Sequence, residues 1–456
     1  MAGLQSVDLH GYWWLPENES HQVAGHLTIS PEESRLFLYG SLEPERHGVF
    51  SEPGQALGKG SDLLAKPGRQ GTYARVHGAV GHTEVTLDDC FETHHDRTGV
   101  PTGDRQTLHV GRAIQGVLLD EGAPVEASRI VVRLKYLTNW LAPTEIEQDD
   151  GPSGPAGYRS RMSLTVEAQP PQTVPLPGGG ELRLHHELLA NGSWVTSRTL
   201  QQQYLAEVVP NELTALDDLV DKVSDLQDLV SIATRRSAEL EQVTFFHPGA
   251  TWPADDDDAG TQMPLQLHHR IQVVDHAPDE QEPHPFNFLF SVEEIGGLDG
   301  IARWMAVAEV NRDTLGRTMA VSYSKGMFVS DRFLNYIAAL EGYDKVQNPT
   351  AKQHLAGALH RCVRKAGQPF VELVGRPSKW VDLVVDHRHD IAHHKGKYFR
   401  GSSGDQHFLG EAGYWLNLLC LLRDAEAPGA VFERICKHGD FTFLQGRLQA
   451  ILAVSS

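Results

Sequence analysis

Short alternating segments dominate the first two hundred positions. His26–Ile29, Arg35–Gly40, Glu84–Leu87 and Arg129–Leu134 each alternate or carry β-branched residues, and Gly, Pro, Asn or Asp bounds each of them. Ser160–Glu167 and Glu181–Leu189 repeat the pattern, beside turn-forming stretches at Gly151–Gly157 and Pro175–Gly180. No helical period interleaves with these strands, so they predict an antiparallel sandwich or barrel. The period changes between Asn211 and about Glu241. There Leu216, Leu219, Val220, Val223, Leu226, Leu229, Val230 and Ala233 recur at steps of three and four. That spacing predicts a helix with one core-packing stripe and Asn211 as its N-cap. A polar stretch follows, with Asp255–Asp258 at its centre, and reads as a solvated loop. From about Leu298 the period stays helical. The candidate helices are Ile301–Val310, Ser330–Glu341, Ala351–Lys365, Ser378–His394, Gly410–Asp424 and Ala430–Val454. Short loops between helices predict a bundle. The expected architecture is therefore α+β in two domains, a β-rich one over residues 1–295 and an all-α bundle over 296–456.

Bulk properties narrow the setting. A chain of 456 residues exceeds the size at which one core keeps growing, which agrees with two domains. No apolar run is long enough to span a membrane. The opening MAGLQSVDLHGYWW has neither the basic start nor the apolar stretch of a secretory signal. Cys90, Cys362, Cys420 and Cys436 form no CxxC pair, which argues against a zinc ribbon or a disulfide framework. Together these features predict a cytoplasmic protein. The net charge of -20 would discourage a polyanionic partner, but its distribution changes that view. Residues 301–456 hold 20 Lys and Arg against 15 Asp and Glu, so the acidic excess lies in the first 300 residues. The helical part can approach phosphates that the β-rich part would repel.

Ionisable side chains concentrate at Asp386-His387-Arg388-His389-Asp390-Ile391-Ala392-His393-His394-Lys395-Gly396, directly after the apolar run Trp380–Val385. A helix burying one face upstream would present this polar end, with Gly396 as C-cap and Lys395 near the negative end of the dipole. Arg388 and His393 form an Arg-x4-His pair. RNA can be cut without a metal, because its 2′-hydroxyl can attack the adjacent phosphorus. The protein must then supply a proton acceptor and donor near neutrality, which histidine provides. It must also supply a fixed cation for the charge on the phosphoryl oxygens, which suits the planar fork of arginine. Five positions along a straight helix rotate a side chain by about 140°, so convergence needs the length of arginine or a break near Ala392. His389 and His393, four apart, share a face.

The C-terminal part resembles the Apea-like branch of the HEPN superfamily. The likeness is carried by Trp304, by the run Arg332–Glu341, and by Val385–Gly396, where the family's Arg-polar-x3-His motif reads Arg388-His389-Asp390-Ile391-Ala392-His393. The N-terminal part resembles the β-rich domain that precedes such domains, through Gly11–Pro16, Gly25–Leu27, Val85–Cys90 and Val132–Leu141. The resemblance implies a helical ribonuclease domain that dimerises to join two motifs in one cleft. It implies metal-independent cleavage leaving a 2′,3′-cyclic phosphate, no cofactor, and a role in bacterial anti-phage defence by abortive infection. Carried onto this chain, Arg388 binds the scissile phosphate and His393 transfers the proton. His389 orients RNA or its neighbours, Glu341 orients Arg388, and His394 and Lys395 add phosphate contacts. The implied partners are RNA, a second copy through the helical domain, and a phage-derived trigger at the β-rich domain, with no membrane.

Two other readings stay open. The helical domain could bind RNA or nucleotides, or dimerise, without catalysis. Alternatively, His387, His389, Asp390, His393 and His394 could serve a metal-dependent phosphohydrolase, with His389 and His393 gripping zinc. The stretch lacks the Glu of an HExxH site.

Overall fold

The computed structural model describes residues 7–30, 33–43, 71–96, 104–141, 146–151, 161–193, 195–252, 258, 260–269, 283–324, 326–352, 354–392 and 403–454. Its strands begin with β1 (Val7–Trp14), β2 (Val23–Ile29), β3 (Ser34–Leu38), β4 (Thr72–Val80), β5 (Thr83–Asp96), β6 (Arg105–His109), β7 (Arg112–Gln115), β8 (Glu126–Ala127) and β9 (Arg129–Leu134). After α1 (Leu137–Leu141) come β10 (Glu147–Asp149), β11 (Ser163–Thr165), β12 (Gln172–Pro175), β13 (Glu181–Asn191), β14 (Thr199–Val209) and β15 (Thr214–Ala215). Helix α2 (Leu216–Thr234) precedes β16 (Leu240–Thr251) and β17 (Gln262–His269). Nine helices then follow among the described residues: α3 (Gly297–Val310), α4 (Arg312–Tyr323), α5 (Val329–Gln347), α6 (Leu355–Ala366), α7 (Gln368–Val374), α8 (Pro377–Ala392), α9 (Ser403–Asp424), α10 (Gly429–Lys437) and α11 (Gly439–Val454). A β-rich N-terminal region thus precedes an all-helical C-terminal one, the expected α+β layout. No helix among the described residues is long and apolar enough to cross a membrane.

Two compact units interleave along the chain. One comprises Met1–Arg133, Glu212–Leu219 and Glu239–Asp279; the other comprises Leu134–Asn211, Val220–Ala238 and Glu280–Ser456. In the first, β1-β2-β3-β6-β5-β4 close into an antiparallel barrel. Strand alternation turns Leu27, Ile29, Leu36, Leu38, Val76, Val85, Leu87 and Leu108 into its core. Trp13 sits opposite Gly78, where a Cβ would lie 2.3 Å from the indole, so glycine makes room for the ring. The long β5 closes the barrel by serving two neighbours: Val85–Asp88 pair with β7 and Phe91–Asp96 with β6. Between them Asp89 adopts φ 54°, a left-handed conformation that aspartate tolerates better than most residues. The Gly111 N–H donates to the carbonyls of Asp88 and Asp89 at 3.1 and 3.2 Å. Strands β17 and β16 extend the sheet from β7.

The second unit joins the antiparallel β12-β13-β14 sheet to the helices. Trp140 of α1 is buried and donates its indole N–H to the Phe290 carbonyl at 3.0 Å. From Val220 onward α2 belongs to this unit. Trp304 of α3 donates to the Asp225 carbonyl at 2.9 Å, and Arg312 of α4 pairs with the Asp225 carboxylate at 2.7 Å. The Tyr323 hydroxyl donates to Asp228 at 2.5 Å. Burial pushes Asp225 up to about 6 and Asp228 up to about 7. Helix α5 is central, packing against α4, α6, α8 and α9. Close approach of α9 to α5 uses Gly410 and Gly413, where added Cβ atoms would lie 3.3 Å from Phe333 and 3.1 Å from Ile337.

Several expectations change. Helix α2 starts at Leu216, not Asn211, because the preceding residues are extended and β15 pairs with β8. It ends at Thr234, and Leu240, Val243 and Phe245 are buried on a strand instead. Helices α4 and α7 appear between predicted ones, α9 begins at Ser403, and the stretch expected as Ala430–Val454 divides at the extended His438. Of the four aspartates, Asp255–Asp257 lie outside the described residues, and Asp258 is exposed in a turn.

Candidate active site

The site is carried by α8. Trp380, Val381, Val384 and His387 recur at helical spacing and are buried, which fixes the rotation of the helix against α5, α6, α7 and α9. His387 therefore belongs to the packed face, its ring 6.2 Å from that of Phe333 on α5. The next residue, Arg388, falls at the edge of the stripe with its side chain 42% exposed. There Arg388 Nη2 lies 3.5 Å from Glu341 Oε2 of α5, a carboxylate 34% exposed. Glu341 is not on the helix next in sequence: α6 and α7 intervene, and the folded bundle brings the two together. His389 is exposed on the same turn.

A guanidinium has five N–H donors, so one contact to Glu341 among the described residues leaves others for a ligand on the half-exposed side. Such a group can take a phosphate bidentately while the carboxylate limits its swing. His393, His394 and Lys395 lie outside the described residues, whose stretch on α8 ends at Ala392. Arg388, Glu341 and His389 are thus brought to one end of α8. Among the described residues no group of three or more His, Cys, Asp or Glu is placed to hold a metal ion.

Sequence reasoning did not single out the rings at the start of α9 and on α11. His407 and Phe408 lie two to three positions before the Gly410 that meets Phe333, and Phe408 contacts Phe443. The available signal was weak: Phe443 and Arg447 stand four apart in a segment read as one long helix. All four cysteines are free; three are buried and Cys436 is half-buried.

The family model described as ApeA N-terminal domain 1 matches residues 8–304, well over half of the chain. No curated protein and no solved structure matches it.

Proposed function

Because this chain belongs to the ApeA N-terminal domain family, we propose that it is an anti-phage defence effector whose helical region is a metal-independent endoribonuclease. The observation that carries the reading is the half-exposed guanidinium of Arg388, tethered by Glu341 at the polar end of α8. In the proposed reaction an RNA 2′-oxygen bonds to the adjacent phosphorus while the bond from phosphorus to the 5′-oxygen breaks. His393 handles the proton, accepting it from the 2′-hydroxyl or delivering it to the departing 5′-oxygen, and a second copy supplies the complementary histidine. The products are a 2′,3′-cyclic phosphate and a 5′-hydroxyl. Arg388 stabilises the charge on the non-bridging oxygens, His389 adds a polar contact, and His394 and Lys395 hold flanking phosphates. The β-rich part receives the phage-derived trigger.

The test is induction of the parent, Arg388→Ala and His393→Ala in cells, followed by sequencing of RNA ends. The parent is expected to halt growth and to leave cyclic-phosphate ends. Loss of the proton-transfer group should lower cleavage by about 10²–10⁴, and loss of the charged donor by about 10²–10³. Activity should survive a chelator. Equal toxicity and identical RNA ends in all three strains would remove the catalytic reading.

A further inference from the structure

Phe443 is 58% exposed on α11, a helix whose other side buries Phe441, Leu444 and Leu448. Its ring meets that of Phe408 on α9 edge-on, with centroids 6.2 Å apart, and Phe408 in turn lies 5.1 Å from His407. One turn along α11, the exposed Arg447 holds its guanidinium 5.3 Å from the centre of Phe443 and 5.8 Å from that of Phe408. No ion pair engages Arg447 among the described residues. An exposed ring and cation beside two half-buried rings suit a ligand offering flat faces and negative charge. Unpaired nucleotides offer both, since bases stack on aromatic rings and guanidinium planes while phosphates take the charge.

Position and charge favour the same ligand. The ring-bearing start of α9 crosses α5 at Phe333 through Gly410, and the ring of Phe333 also faces His387, the neighbour of Arg388. The excess of basic over acidic residues in 301–456 allows a polyanion to approach. We infer that His407, Phe408, Phe443 and Arg447 form a stacking platform that holds single-stranded RNA for the site at Arg388. This rests on the ribonuclease reading and deepens it: the platform selects loops and unpaired segments, because bases inside a duplex cannot turn their faces to it.

The test uses the full chain and a fluorescein-labelled 2′-O-methyl oligonucleotide of mixed sequence, which lacks the nucleophile and survives incubation. Anisotropy titrations compare this strand with the same strand annealed to its complement. Phe443→Ala is expected to weaken single-strand binding about tenfold and to leave duplex binding within about twofold, with Phe443→Tyr restoring affinity. Arg447→Gln should also flatten the salt dependence, by about one unit of log–log slope. The inference falls if Phe443→Ala binds the single strand as the parent does, or if both forms weaken equally. It also falls if the variant loses dimer mass in sedimentation while keeping RNA affinity, which would assign the patch to a second copy. A parent that cleaves RNA while Phe443→Ala binds normally removes the platform alone; a parent that neither binds nor cleaves RNA removes the ribonuclease reading as well.

Discussion

Two arginine–carboxylate pairs, one in each unit, share a chemistry and differ in what they leave unused. Arg75 and Asp88 in the barrel unit have side chains 6 and 5% exposed. Arg75 donates to both carboxylate oxygens, at 2.7 and 3.3 Å, and its other N–H groups reach the carbonyls of Asp120 and Ala123. Asp88 also accepts from Arg112 at 3.1 Å. Four of the five N–H donors of this guanidinium are thus taken by protein. Arg388 and Glu341 share one longer contact and remain open to water. A histidine follows each arginine within a few positions, His82 in one case and His393 in the other. Spacing therefore does not separate a structural arginine from one available for chemistry; the count of satisfied donors does.

Substitutions can break this contrast. The largest effect is expected in catalysis: Arg388→Ala should cost two to three orders of magnitude in RNA cleavage, as estimated for a lost transition-state donor, with urea unfolding shifted by less than about 1 kcal/mol. Arg75→Ala should do the reverse. Stranding the buried Asp88 is expected to cost roughly 3 kcal/mol, eased by Arg112, and to be read as an earlier urea transition. An Arg388→Ala chain that unfolds as early as Arg75→Ala would erase the distinction.

A third substitution probes burial without a full partner set. Asp228 is raised by burial from 3.8 to about 7, so the folded protein holds a proton that the unfolded chain releases. That contribution is fully present below pH 3.8 and is lost as the pH rises through about 7. Asp228→Asn keeps an acceptor for Tyr323 but cannot ionise. Its melting temperature should exceed that of the parent above pH 7 and converge with it in acid; thermal melts across pH check this. The smallest effect belongs to Glu341→Gln, where an exposed pair contributes at most about 1 kcal/mol to stability. Cleavage should fall severalfold, less than for Arg388→Ala, with the change in kcat if Glu341 holds the guanidinium in line.

Strands were legible where alternation is clean, as in β2 and β3, whose inward positions are Val23, Gly25, Leu27 and Ile29, and Ser34, Leu36 and Leu38. Closure of the barrel was not, because it depends on the left-handed Asp89, where β5 passes from β7 to β6, and on Gly111, neither of which carries a periodic signal. Helix α4 escaped notice because part of its buried face is polar: Thr314 and Thr318 are buried, and Thr318 accepts from the Asn417 amide at 2.7 Å. The partners of α2 were hidden for a similar reason. Asp225 reads as a surface residue of an amphipathic helix, yet its carbonyl and carboxylate bind Trp304 and Arg312. At the site, the pairing of Glu341 with Arg388 was expected only from the family resemblance, because no spacing in the sequence links them. Their meeting is a tertiary fact, made by the packing of α8 against α5.

The division of the chain into interleaved units sets an order of assembly. The stretches that build the barrel unit are complete by Asp279, whereas the unit bearing Arg388 still needs everything from Glu280 onward. Helix α11, made late, packs against α7, α9 and α10 and buries Leu448 and Leu452. On the ribosome, then, the β-rich part can mature while the bundle lacks its closing helix. A truncated product that stops short of α11 carries an unfinished core.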